Sequence, residues 1–278
     1  MKAEVRELMF KTQRNLEHLI PDRRAIGNLA AAIIALAIIG SVLIGVALII
    51  WFWPAQTFSP WPIVNGSGNL VTEEQHLSDF TIADIGYAFD VEIIQANSYS
   101  INITVDDNLL DYVEVFKTGN TLTIRLKSGY SYHSATKRAV IMMPELYELR
   151  LSGATHGTVV GFDSTNELAL DISGASSLNG DFLTSENAQI TVSGASSVEI
   201  NGTAADLQIS VSGASHLDLS DFPVHDVDVD ISGASHATVN LDGRLAGHVS
   251  GASHLKYLGN PTSTDGVSTS GASTVGPQ

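Results

Sequence analysis

Cysteine is absent from all 278 residues. That excludes a disulfide framework, a thiolate zinc site and a cysteine nucleophile. Stability has to come from packing and backbone pairing. Basic residues are also scarce once the first segment is passed. Residues 1–24 hold six (Lys2, Arg6, Lys11, Arg14, Arg23, Arg24) against four acids (Glu4, Glu7, Glu17, Asp22). The remaining chain holds 8 bases and 26 acids. A body this acidic repels phosphate backbones, which argues against nucleic acid as a partner. No nucleophile elbow, phosphate loop or metalloprotease helix is present. The calcium-binding nonapeptide Gly-Gly-x-Gly-x-Asp of some β-helices is missing as well.

Charge itself is missing from Ala25 to Thr72. Within that stretch Leu29 to Trp53 is almost wholly apolar and ends in Trp51, Phe52 and Trp53. As a helix it would rise about 37 Å, enough to cross a hydrocarbon core with some tilt. A cleaved signal peptide has a shorter apolar core and a small-residue cleavage site. Bulky aromatics and Pro54 stand here instead, so an uncleaved transmembrane α-helix is expected, in contact with the lipid bilayer through residues 29–53. Arg23 and Arg24 flank it on one side, while no Lys or Arg follows until Lys117. The positive-inside rule then places the N-terminus in the cytoplasm and the C-terminal domain outside. The expected organisation is a cytoplasmic tail at 1–24, a single-pass cell-membrane helix at 25–53, a Pro-rich linker at 54–65 and an extracytoplasmic domain at 66–278.

What is abundant in that domain is one tripeptide. Ser-Gly-Ala begins at Ser152, Ser173, Ser193, Ser212, Ser232, Ser250 and Ser270, at intervals of 21, 20, 19, 20, 18 and 20 residues. A fixed period near 20 marks a solenoid. In front of the tripeptide apolar residues alternate with polar ones, as in Leu168-Leu170-Ile172, Leu207-Ile209-Val211 and Val227-Val229-Ile231. Period two is the pattern of a strand with one buried face. A shorter alternation follows it, as in Leu217-Leu219 and Ala237-Val239. Each repeat is expected to be a strand, a corner at Ser-Gly-Ala, a second strand and a variable return.

The fold class is therefore all-β: a parallel β-helix, or solenoid, with about 20 residues per coil, preceded by one transmembrane α-helix. An antiparallel sandwich would need regular hairpin turns, and Asn-Gly or Asp-Gly pairs occur only sporadically. The glycines Gly153, Gly174, Gly194, Gly213, Gly233, Gly251 and Gly271 are expected at structural corners that demand unusual backbone angles. Residues 67–151 lack the tripeptide but keep strand alternation. They are expected to form earlier coils with longer loops, such as Ser128–Lys137, and to cap the N-terminal end.

A resemblance attaches to these residues. Gly66-Ser-Gly-Asn69, LSDFTIADIGYAFDVEIIQ at 77–95, VDDNLLDYVEV at 105–115, LTI at 122–124 and the Ser-Gly-Ala ladder resemble the family described as putative auto-transporter adhesin, head GIN domain. The resemblance covers roughly residues 66–275. It implies a β-helix in an exported protein, with no established catalytic residues to carry over. The spanning anchor departs from relatives that carry a cleaved or lipoprotein signal.

Two clusters qualify as candidate sites. His216, His236 and His254 occupy the same place in successive repeats, two residues after the alanine. Stacked about 4.8 Å apart and pointing outward, they form a possible metal-binding ladder. Three imidazoles in a line rarely give tetrahedral angles, so the expectation is a polar column with no metal and no cofactor. Asp106, Asp107 and Asp111 are the nearest approach to a catalytic carboxylate group, but Asp-Asp-Asn at 106–108 reads first as turn chemistry. Acids at Asp171, Asp228 and Asp230 are expected to be a solvated surface.

The functional expectation is a non-enzymatic adhesion or ligand-binding module for glycan or a cell-envelope protein. The alternatives are an envelope sensor or scaffold signalling through the tail, and a polysaccharide-active enzyme. The polar last coil, with Pro261 and Pro277, points to a blunted edge and a monomeric isolated domain.

Overall fold

The computed structural model describes residues 61–163 and 166–278. The segment expected as a cytoplasmic tail and the apolar run at 29–53 expected as a membrane helix lie outside the described residues. Among the described residues no helix is long and apolar enough to cross a membrane.

Alternation of apolar and polar residues builds two ribbons of strands joined at the corners. On the first ribbon, Glu148–Leu151 pairs in parallel with Leu168–Ile172. That strand pairs with residues 188–192, and these in turn with 207–211. The ladder continues through Asp226–Ile231, Arg244–Val249 and Ser263–Thr269. On the second ribbon, His156–Asp163 starts a parallel series that runs to Thr274–Pro277. Each step advances one repeat, so equivalent residues stack in columns. The inward columns are apolar and buried: Leu170, Ile190, Ile209 and Val229 on one ribbon, Leu178, Val198, Leu217 and Ala237 on the other. Phe162, Phe182 and Phe222 fill the interior on the return side. Parallel sheets are usually covered on both faces, but here the outer faces are open and carry the polar half of each alternation.

At the corner the backbone ladder does not break. The Ala214 amide donates to Gly194 O, and the Ala234 amide donates to Gly213 O, each at 2.8 Å. Gly213 and Gly233 both sit at φ +80°, in the left-handed region that costs other L-residues roughly 1–2 kcal/mol. A Cβ on Gly213 would lie 2.3 Å from Gly194 O. The stacked carbonyl, not the angle alone, makes glycine obligatory. The same left-handed φ recurs at Gly153, Gly174, Gly194, Gly251 and Gly271.

A column of hydroxyls lies inside the corner. Every Ser-Gly-Ala is followed by Ser or Thr. Thr155, Ser176, Ser196, Ser215, Ser235 and Ser253 are all buried. Ser215 Oγ donates to Ser212 O and Ser235 Oγ to Ser232 O, closing each corner across three residues. The Ser235 amide donates to Ser253 Oγ of the next coil. Buried hydroxyls without such partners would be costly.

The N-terminal part departs from the expectation of simple earlier coils. Ile82–Ile85 and Asp90–Gln95 do form a coil, but it sits out of sequence order. It is flanked on one side by Glu148–Leu151 and His156–Asp163. On the other side lie Thr121–Leu126 and Lys137–Met143. Beyond those the pairing turns antiparallel: Val113–Thr118 covers Thr121–Leu126, while Ser100–Asp106 covers Lys137–Met143 and is itself covered by Leu70–Gln75. A sheet edge left open would recruit other chains, and these strands occupy it. The stretch expected as a loop at 128–137 contains Ser131–His133, which pairs with Ile63–Asn65. Ordered pairing thus begins inside the segment expected to be linker.

Candidate functional site

The outward histidine column forms as the repeat spacing requires. His216 is in register with His236, and His236 with His254. The column is flanked by Ser197 on one side and Thr274 on the other. The His236 and His254 rings lie 5.0 Å apart, tilted by 43°. Their nitrogens do not converge on a common point: His254 Nδ1 lies 2.6 Å from Thr274 Oγ1. His156 in the same column treats Ser177 in the same way, at 2.8 Å. Among the described residues no group of three or more His, Cys, Asp or Glu is placed to hold a metal ion.

The acidic trio at 106–111 requires a correction. Asp106 is not a solvated turn residue but is buried. Its Oδ1 accepts the Gly68 amide at 2.6 Å and its Oδ2 accepts the Thr136 amide at 2.7 Å. Asp107 begins a 3-10 helix, Asp107–Tyr112, and accepts the Ser67 hydroxyl. Asn108 donates to Asn65 O at 2.8 Å. This cluster fastens the entering strand to the cap. Asp106 has both oxygens occupied by backbone amides, which suits a fastening and not proton transfer to a substrate. Sequence reasoning missed this because a buried carboxylate carries no periodic signal.

A groove of about 920 Å³ runs along the starting ends of the first-ribbon strands. Its wall combines the column Asn187, Asp206, Asp226 and Arg244 with Glu148, Gln189, Gln208 and Asp228 on the neighbouring column. Part of the acid is structural. Asp206 Oδ1 accepts the Asp226 amide at 3.2 Å, and Asp226 Oδ1 accepts the Arg244 amide at 2.6 Å. Each carboxylate thereby links its coil to the next. A smaller concavity of about 220 Å³ continues over the outer face, lined by Gln189, Thr191, Gln208, Ser210, Asp228 and Asp230. Asp171 and Asp230 share a column but are separated by Thr191 and Ser210. The arrangement is a row of carboxylates and carboxamides repeating at about 4.8 Å. Such a row accepts and donates hydrogen bonds along a line.

Fold and face together define a β-solenoid with an open polar surface. The chain belongs to the family described as putative auto-transporter adhesin, head GIN domain, whose model matches residues 79–261. Solved structures share the fold. A putative adhesin from Bacteroides fragilis is 20% identical with a TM-score of 0.71, over 77% of this chain and 100% of that one. A putative lipid binding protein from Parabacteroides distasonis is 20% identical with a TM-score of 0.63, over 78% of this chain and 99% of that one. A putative adhesin from Parabacteroides merdae is 19% identical with a TM-score of 0.60, over 78% and 99%. No curated protein matches the chain.

Proposed function

We propose that this chain is a membrane-anchored, extracytoplasmic, non-enzymatic adhesin-like module whose first ribbon binds an extended, hydroxyl-rich ligand such as a glycan. The observation that carries this reading is the groove and the polar face beside it. Gln189, Gln208 and Asp228 offer hydrogen-bonding groups in register along the solenoid axis, with Asn187 on the neighbouring column. A polymer with repeating hydroxyls meets such a row at several coils at once, so weak contacts add. Family membership supports an adhesin-like role. The anchor is residues 29–53, on the strength of their length, apolarity and flanking arginines. The test is a glycan array probed with the full chain in detergent. Binding to a class of extended glycans is expected, and Gln208→Ala with Asp228→Ala should weaken it at least tenfold. An array with no hit, or binding indifferent to both substitutions, overturns the groove as the ligand site.

A further inference from the structure

Large apolar side chains exposed on the described residues are concentrated at one end. Trp61, Ile63, Leu70, Tyr87, Phe116 and Tyr130 all belong to the cap, and only Val160 belongs to the repeats. Tyr130 belongs to a connected aromatic patch with Tyr112 and Tyr132. Tyr130 packs edge-on to Tyr112 at 4.9 Å, and Tyr112 packs on Tyr132 at 5.8 Å. Trp61 passes over Gly129, beside Tyr130.

Tyr87 is a further exposed ring of the cap. It occupies the corner place that Gly153 fills in the next coil, and it holds φ +66°. A bulky residue in the left-handed region is strained, and such strain persists where it serves a purpose. Here it presents an aromatic ring at the surface in the place where the repeats use glycine.

Positive charge gathers in the same region. Residues 115–144 contain Lys117, Arg125, Lys127, Lys137 and Arg138 and no acid. Lys127 Nζ donates to Asp111 O and Lys137 Nζ to Tyr87 O, so both ammonium groups are held at the patch by backbone carbonyls. From residue 151 onward there are only two bases, Arg244 and Lys256, among a majority of acids. Arg125 is paired with Glu114 and Arg138 with Asp90, which leaves Lys127 and Lys137 as the cap bases at the patch, a positive charge that the repeats do not offer to an anionic surface.

The geometry points to a lipid bilayer with anionic headgroups as the occupant of this patch. Tyr and Trp favour the membrane interface, where one end of the ring is wet and the other apolar. Juxtamembrane Lys and Arg add roughly 1 kcal/mol each against anionic lipid. The inference rests on the anchor reading above. Trp61 follows Trp53 by eight residues, a span of at most about 28 Å when extended. The eight-residue tether keeps the cap within reach of the bilayer.

The full chain carries three tryptophans, Trp51, Trp53 and Trp61. In the variant Trp51→Phe/Trp53→Phe only Trp61 reports. This chain is reconstituted in vesicles of phosphatidylcholine alone, or with one quarter phosphatidylglycerol, each with a headgroup spin-labelled lipid. Quenching of Trp61 is expected to be at least about two-fold stronger with phosphatidylglycerol. It should fall to the phosphatidylcholine level with Lys127→Glu/Lys137→Glu and with added salt. Tyr130→Ser should lower it in both vesicles, with circular dichroism unchanged as the folding control. Floating chains whose Trp61 is not quenched, or is quenched independently of lipid charge and of the lysines, overturn the docking and leave the anchor standing. Chains that do not float with either vesicle overturn the anchor and this inference together.

Discussion

The repeats and the cap solve the same problem by opposite means. From residue 151 onward each coil is held by neighbours of the same kind, with pairing that is parallel and in register and corners that stack glycine on glycine. In the cap, parallel coils give way to three antiparallel pairings, a buried carboxylate and a 3-10 helix. A solenoid interior can repeat itself because every coil supplies the surface that the next one needs. Its end has no such neighbour, so each edge strand needs its own cover. The exposed rings and the clustered bases sit in this individually built part, where the sequence is free of the repeat.

The sharpest way to break that contrast uses two glycines with the same handedness of backbone. Gly213 in the repeats has φ +80° and Gly119 in the cap has φ +60°. A Cβ on Gly213 meets Gly194 O at 2.3 Å, whereas a Cβ on Gly119 meets nothing within 4 Å. Gly119→Ala should cost only the backbone strain, roughly 1–2 kcal/mol. Gly213→Ala adds a collision with the carbonyl that accepts the Ala214 amide, and should cost more than about 4 kcal/mol or prevent folding. Urea melts of both variants check this. Equal losses would mean that φ alone, and not the stacked ladder, makes the corner need glycine.

A second comparison sets the two kinds of buried polar group against each other. Asp106→Ala leaves the Gly68 and Thr136 amides without their acceptor, and should cost roughly 2–4 kcal/mol. Ser215→Ala removes a hydroxyl bonded to Ser212 O at 2.8 Å and more weakly to Gly194 O at 3.4 Å, and should cost about 1 kcal/mol. Hydrogen exchange should localise the first loss to the cap and the second to the adjoining coils. If Ser215→Ala proves the costlier change, the hydroxyl column carries a cooperative load along the axis that single corners do not reveal.

The same contrast explains what could be read from the residues alone. Period two before each Ser-Gly-Ala located the strands, and the interval near 20 set their parallel register. The glycine at the corner pointed to left-handed φ because few other functions need glycine at a fixed interval. The serine or threonine after each tripeptide was equally regular, yet its burial is visible only once the corner is built, since small hydroxyls are ordinary surface residues. The coil at residues 82–95 lies between 121–143 and 148–163. Spatial order of that sort leaves no mark in alternation, because an antiparallel neighbour and a parallel one demand the same period. Asp106 was hidden for a related reason: a single buried acid is specified by its partners, which lie 30 and 38 residues away. The groove was partly legible, as polar positions between core positions, but its depth depends on how the coil starts are offset.

The smallest effect concerns His225 on the acidic surface of the repeats. His225 Nδ1 lies 2.8 Å from Asp242 Oδ1, and both side chains are largely exposed. The hydrogen bond to Asp242 is the main cause that raises the pKa of His225; slight burial opposes it, and the charges of Asp226, Asp242 and Asp206 raise it further. A histidine whose folded pKa exceeds its unfolded value stabilises the fold fully below the unfolded value of 6.5. That contribution fades as pH rises through the raised folded value. Solvent and salt screen an exposed pair, so the gain is modest. The melting temperature of the wild type should therefore exceed that of Asp242→Asn by a small margin at pH 5.5, and the margin should shrink at pH 8 and in high salt. The His225 ring proton, followed by NMR, should titrate at lower pH in Asp242→Asn. An unchanged titration midpoint would show that Asp226 and Asp206 set the proton affinity and that the pair at Asp242 is incidental.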